Sequence, residues 1–293
     1  MVRFDLVGFS DVEEYLDYFF GTLLETNWTY DYFVDWGKVR GNVRRHVKEI
    51  SLLNSLCRVE AGERETMLRD IFQRYPETLE VIPLLLAIRE KSIPILEMSE
   101  QAIYTCFDFS KRSLSGKEAE QLVGFCESVG LLKLFSEVGD LYSYMLGVEV
   151  GLDTNSRKNR SGEIFERLVE LLLNRTLTCL EGVQLKRGDP TIVTRRRKKA
   201  DFVVYRDGEP RIVVECNFYS DTGSKPIETA NAYIDFQRKV RELGLSFIWV
   251  TDGRAWRKMM ETIRETSREI DFVLNYKMLS QRGSLIIPKL LND

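Results

Sequence analysis

The stretch DFVVYRDGEPRIVVECNFYS, residues 201–220, decides how the second half of the chain folds. DFVVY and RIVVECNFY are apolar runs rich in β-branched residues, and the polar segment between them predicts a tight turn, so the stretch reads as a β-hairpin. One acid opens the first strand and another sits near the end of the second, placing Asp201 and Glu215 at the end of the hairpin away from its turn. Whether the two carboxylates meet depends on that turn, because a one-residue slip of register sends every side chain to the other face. A three-residue loop, Arg206-Asp207-Gly208, puts glycine where a left-handed conformation is wanted and pairs Tyr205 with Glu209 and Asp201 with Val213. Glu215 then lies diagonal to Asp201 on the same face, roughly 7 to 8 Å away at the backbone. A two-residue Asp207-Gly208 turn splits the acids across the sheet instead.

Outward from the hairpin, Glu215 and Asn217 are two apart in an extended run and share a face, whereas Cys216 points away and offers its backbone carbonyl nearby. Two carboxylates and a carbonyl are hard oxygen ligands of the kind that suit Mg2+, which keeps several waters and leans on few protein groups. One helix upstream, SGEIFERLVELLLNR from Ser161 carries Glu163, Glu166 and Glu170 at helical spacing on one face. Any of these could add an acidic ligand or hold a water. Basic runs flank the hairpin region on both sides of this helix, NSRKNR at 155–160 and KRGDPTIVTRRRKK at 186–199. A charge run is ordinarily a solvated loop, but two beside paired acids suggest an anionic partner.

Residues 1 to about 145 read as helices with short connections. SDVEEYLDYFFGTLLE opens with a capping box from Ser10 to Glu13, and a second box, Ser115 to Glu118, opens KEAEQLVGFCESVGLL. The aromatic cluster NWTYDYFVDW, residues 27–36, could be a stacking surface for bases, although aromatic stripes among helices are more often packing. Beyond GVEVGLD the texture changes: TIVTR, DFVVY, RIVVECNFY and LSFIWVTDG are strand-like, and ETANAYIDFQRKVREL and AWRKMMETIRETSREI are helical. That order predicts an α/β fold, a mixed sheet flanked by helices. The expected division is a helical region over 1–148 and a second domain over 149–293.

Composition removes several classes of chemistry. The chain has 293 residues, 44% hydrophobic and 30% charged, as expected of a globular protein. It carries a formal charge of -3, so any binding to a polyanion rests on local clustering rather than on net charge. Five cysteines without a CxxC pair argue against a disulfide framework and a zinc knuckle. The single histidine, His46, lies in the basic helical stretch VRRHVKEI and excludes an HExxH site or a histidine-rich metal cluster. Neither a signal peptide nor a transmembrane run is apparent, and the expected location is the cytoplasm.

The phrases GVEVGLDTNSRKNRSGEIFERLVE, KADFVV, IVVECNFYSDTGSKPIETANAYIDF and FIWVTDG resemble the DpnII/MboI family of type II restriction endonucleases, within the PD-(D/E)xK nuclease superfamily. The opening FSDVEEYLDYFFGTLLETNWTYDYFVDWGKV is similar as well, so the resemblance covers most of the chain. It implies a homodimeric or otherwise paired enzyme that cleaves both strands of double-stranded DNA at GATC with Mg2+. Carried over, it assigns Asp201 and Glu215 to the two acidic places of the superfamily motif and Asn217 to the place usually held by lysine. Asp201, Glu215 and the Cys216 carbonyl would hold the metal, with Glu166 as the supporting acid, and Lys199 or Lys225 would lend the charge that Asn217 lacks.

For base reading, guanine calls for Arg or Lys and adenine for Asn or Gln, types supplied by Asn155, Arg157, Lys158, Asn159 and Arg160, with Ser224, Lys225 and Asn231 further on. Two competing readings are a structure-specific repair nuclease of the same fold and a DNA-binding module with an inactive site.

Overall fold

The computed structural model describes residues 2–97, 103–193 and 199–292. The chain divides into two compact units, Met1–Tyr32 with Lys158–Asp293, and Phe33–Arg157. The single division expected at 148/149 is therefore replaced by two, because the opening residues belong with the C-terminal unit. The physical reason lies in the first helices, α1 (Phe4–Val7) and α2 (Val12–Gly21). The apolar stripe of α2, with Tyr15, Leu16, Phe19 and Phe20, is buried in one core with Ile248, Val273 and Ile286, nearly the whole chain away. Polar bonds fix the docking: Asn275 Nδ2 donates to Phe19 O and Thr22 Oγ1, both at 2.8 Å.

The unit Phe33–Arg157 is built from α3 (Trp36–Arg45), α4 (Val47–Asn54), α5 (Arg64–Arg74), α6 (Val81–Leu85), α7 (Gly116–Ser128), α8 (Leu131–Glu137) and α9 (Leu141–Leu152). It has its own core around Leu53, Phe72, Ile82, Phe109 and Phe135. The helical expectation holds here apart from an antiparallel hairpin of β1 (Ser92–Glu97) and β2 (Ile103–Asp108). The capping box at Ser115 forms as expected, with the serine side chain accepting from the Glu118 N–H and Glu118 reaching back to the Ser115 N–H. The box at Ser10 is displaced by one residue. Asp11 is the cap that accepts from Glu14 N–H at 2.9 Å, and Glu14 returns to the Ser10 N–H at 2.7 Å.

The other unit holds a mixed sheet of five strands in the order β3 (Val183–Val193), β4 (Lys199–Arg206), β5 (Glu209–Phe218), β6 (Ser246–Asp252) and β7 (Phe272–Leu274). The first three strands run antiparallel, and β5, β6 and β7 run parallel. Parallel neighbours need crossovers, supplied by α11 (Ser224–Glu242) between β5 and β6 and by α12 (Met260–Thr266) between β6 and β7. Together with α10 (Thr154–Leu177) and α13 (Tyr276–Asn292), α11 places apolar side chains, among them Phe165, Val169, Val240 and Ile287, into the core with the sheet. This burial explains why Ile212 to Cys216 and Phe247 to Val250 are apolar almost without alternation.

Three local expectations change. The helix read from Ser161 begins at Thr154, so the basic run 155–160 forms its first turns. AWRKMMETIRETSREI is a 3-10 turn, Arg254–Lys258, followed by the short α12. The aromatic cluster is not packing: Trp28 is 48% and Tyr30 98% exposed, and Trp28 stacks on Tyr32 at 4.7 Å.

Candidate functional site

The hairpin turn is the two-residue form, with Asp207 at φ 52° and Gly208 at φ 85°, both left-handed as a type I′ turn requires. The expected three-residue loop is absent, and Arg206 pairs with Glu209 and Tyr205 with Pro210. By itself that register would set Asp201 against Val214 and send Glu215 to the other face. A bulge intervenes. Beyond it Val204 pairs with Ile212, Val203 with Val213 and Phe202 with Val214, so Arg211 is the extra residue. Pro210 has no N–H to give to a ladder, and bulges are where strand interiors tolerate proline. One step further, the restored register brings Asp201 opposite Glu215 rather than diagonal to it.

At this end the carboxylates take over from the ladder. The Asp201 N–H donates to Glu215 Oε1 at 3.2 Å, and the Cys216 N–H donates to Asp201 Oδ2 at 2.9 Å. Both acids are buried, Glu215 completely and Asp201 to 7% exposure. Two carboxylates brought together out of water repel unless donors or a cation offset their charge. One donor comes from α11, where Tyr233 gives its hydroxyl proton to Glu215 Oε2 at 2.7 Å. Burial first, then the charges of Glu215 and Asp201, push the Tyr233 phenol well above its ordinary range, so it stays protonated as the donor. Asn217, on the same strand, accepts from the indole N–H of Trp249 on β6 at 2.9 Å.

An open cleft of about 350 Å³ lies over this end of the hairpin, lined by Glu166, Arg187, Lys199 and Asp201. Arg187 donates to Glu166 Oε2 at 2.9 Å and stands 3.5 Å from Glu170. The bond to Glu166 and the neighbouring acids raise its already high pKa. Of the three acids on the α10 face only Glu166 lines this cleft. Glu163 and Glu170 line a larger one, about 510 Å³, together with Ile164 and Leu171, which contains neither Asp201 nor Glu215. Among the described residues no group of three or more His, Cys, Asp or Glu side chains converges as a metal cluster. What converges is a carboxylate pair, Asp201 and Glu215, and carboxylate oxygens are hard ligands of the kind a hard cation takes.

With this geometry in view, comparison with known proteins is specific. The family model described as DpnII restriction endonuclease matches residues 15–284. The chain belongs to that family. It is similar to the type II restriction enzyme MjaIII of Methanocaldococcus jannaschii, 31% identical over 90% of this chain and 96% of that enzyme. It is also similar to the type II restriction enzyme DpnII of Streptococcus pneumoniae, 32% identical over 88% of this chain and 93% of the relative. For the type II restriction enzyme MboI of Moraxella bovis the identity is 29%, over 88% and 91%.

Family membership makes the basic residues worth placing one by one. Asn155 and Lys158 lie in the first turns of α10, with side chains outside the described set. Arg157 turns back to donate to Val150 O at 3.2 Å, and Arg160 donates to Tyr32 O at 3.1 Å, so both are at least partly used in holding structure. Asn159 is exposed, as are Ser224, Lys225 and Asn231 on α11. Lys199 reaches the cleft, while residues 194–198 of the second basic run lie outside the described residues.

Sequence reasoning missed three side chains that shape the site: Tyr233, Trp249 and Arg187. Tyr233 and Trp249 sit within apolar runs where an aromatic residue signals core, and Arg187 was one cation among many in its run. Only their partners mark them out.

Proposed function

We propose that this chain is a type II restriction endonuclease of the PD-(D/E)xK kind, cutting both strands of double-stranded DNA at GATC with Mg2+ as cofactor. The observation that carries this reading is the bulge at Arg211, which brings together two buried carboxylates, Asp201 and Glu215, the first of which lines a cleft bearing Lys199 and Arg187. A family match over residues 15–284 and three relatives named type II restriction enzymes support it.

In this reading Asp201, Glu215 and the Cys216 carbonyl would hold Mg2+, which when bound supplies positive charge to the scissile phosphate and acidity to a nearby water. The chain's own groups do the remaining work. Tyr233 and the Asp201 N–H fix the orientation of Glu215, Glu166 is held by Arg187 at the cleft wall as the supporting acid, and Asn217 occupies the third motif position. Lys199 and Lys225 lend positive charge toward the backbone. Asn155, Arg157, Lys158, Asn159, Arg160, Ser224 and Asn231 divide base and phosphate contacts between them, with phosphate contacts expected to outnumber the rest. A homodimer matches the symmetry of a palindromic site. Among the described residues no helix is long and apolar enough to cross a membrane.

The test is plasmid cleavage with and without Mg2+. Discrete fragments ending at GATC support the proposal, preference for branched substrates points to a repair nuclease, and binding without cutting points to an inactive module. Asp201→Ala is expected to abolish cutting while retaining salt-sensitive DNA binding. A fully active Asp201→Ala protein would refute the assigned site.

A further inference from the structure

The third position of the motif carries a constraint that the sequence does not display. Asn217 ends the row of site residues on β5, two residues beyond Glu215, and its Oδ1 accepts the indole N–H of Trp249 at 2.9 Å. An indole nitrogen can only donate, so the atom facing it has to be the amide oxygen, and the amide presents its nitrogen elsewhere. Trp249 cannot easily turn away. It is fully buried, paired on the ladder with Glu215, and packed edge-on against Tyr233 at 5.4 Å and Trp256 at 5.8 Å. Tyr233 is the same residue that donates to Glu215. One aromatic layer thus fixes both the acid and the amide of the strand. Among the described residues nothing accepts from Asn217 Nδ2, while the residue itself is only partly buried.

We infer that Asn217 acts as a hydrogen-bond donor to a non-bridging oxygen of the scissile phosphate, and that Trp249 is the positioning residue that makes it a donor. The inference rests on the nuclease reading above. Its chemical content is a choice between two roles. A group that takes a proton from water must be basic, and an amide oxygen is far too weak a base, with one of its two lone pairs in Asn217 already engaged by the indole. The Nδ2 group offers only N–H bonds, whose natural partner in a DNA substrate is an anionic phosphate oxygen. Aimed donors of this sort act on charge that develops in the transition state, so they lower kcat when lost and leave ground-state binding largely alone. A neutral amide can therefore stand where a lysine is usual, giving directed hydrogen bonds instead of charge.

The experiment is cleavage, in Mg2+, of a GATC duplex whose scissile phosphate is either natural or a single-diastereomer phosphorothioate. Wild type, Asn217→Ala and Trp249→Phe are compared, with Ca2+-supported DNA binding and thermal melting measured alongside. Removal of one such donor typically lowers kcat by about 10²–10³-fold. Asn217→Ala is expected to fall in that range with KM and DNA affinity near wild type, and to lose most of the rate penalty that sulfur imposes in one of the two diastereomers. Trp249→Phe keeps an aromatic ring but no N–H, and is expected to lose tenfold or more in kcat with KM unchanged.

Sulfur penalties in Asn217→Ala equal to those of wild type for both diastereomers would overturn the inference, even if Trp249→Phe proved too unstable to assay. A Trp249→Phe protein that folds and retains wild-type kcat would remove its positioning part. Wild type that leaves the natural duplex intact would instead bring down the nuclease reading itself.

Discussion

Replacing Tyr233 with phenylalanine removes one hydroxyl from the centre of the site and nothing else of size. The ring contacts with Phe236, Phe247 and Trp249, at 6.5, 5.7 and 5.4 Å, need no hydroxyl and should persist. What goes is the 2.7 Å bond to Glu215 Oε2, made between two buried groups. A hydrogen bond to a charged group contributes about 1.5–3 kcal/mol net, and each 1.4 kcal/mol is tenfold in rate when the group is needed in the transition state. Tyr233→Phe is therefore expected to lower kcat roughly 10- to 100-fold. It should also raise the Mg2+ concentration needed for half-maximal rate, because Glu215 is no longer held in one orientation. KM for DNA should change little, since the hydroxyl faces the acid pair. The assay is steady-state cleavage of a short GATC duplex across a Mg2+ titration, with urea unfolding as the control for stability. Wild-type kcat and an unchanged Mg2+ midpoint in a folded Tyr233→Phe protein would refute the claim that this bond positions Glu215.

Two further predictions test the frame around the site. Asp252, fully buried at the end of β6, accepts from the N–H groups of Leu24, Gly253 and Tyr276 at 2.7, 2.7 and 2.8 Å, and burial raises its pKa despite them. Asp252→Ala leaves three backbone donors without their acceptor and should destabilise the unit by about 3 kcal/mol or more in urea unfolding, since each stranded buried donor costs roughly 1–3 kcal/mol. A change below about 1 kcal/mol would show that water replaces the carboxylate easily. Deleting Arg211 removes the bulge but keeps Val204 opposite Ile212, and therefore Asp201 opposite Glu215. Cleavage should persist in a folded deletion protein, because the register of the acids is retained. Loss of cutting with circular dichroism unchanged would refute the claim that the register alone sets the acid pair.

How much of this was legible beforehand differs from element to element. Of the five strands, β7 is a three-residue segment too short for periodicity to register, and β3 starts at Val183, well ahead of the expected TIVTR, whose last two residues lie outside the described ones. The helix α10 is legible but starts earlier than the pattern shows, because Asn, Ser, Arg and Lys in its first turns carry no apolar stripe until Phe165 enters the core. The aromatic cluster at 27–36, on composition alone, favours packing over a stacking surface. It stands largely in solvent because buried Asn27, bonded to Ser161 O at 2.7 Å, is the residue that anchors the segment. The two acids, by contrast, were identified correctly as a pair from a turn that does not exist. A three-residue loop and a two-residue turn followed by a bulge place them on the same face, and Pro210 is the local feature that signals the second solution.

The sequence by itself determined the class of fold, the capping box at Ser115 and the hairpin, because these depend on period, turn chemistry and side-chain type within short windows. Only the tertiary structure decided that residues 2–32 join the C-terminal unit, that Asp201 lies level with Glu215, and that Tyr233 and Trp249 hold Glu215 and Asn217 from neighbouring elements. The first and last of those facts are meetings of groups on separate elements, and the second rests on a bulge that strand periodicity does not place. Local pattern says which face of a segment is apolar, but which partner covers it is settled by the packing of the whole unit.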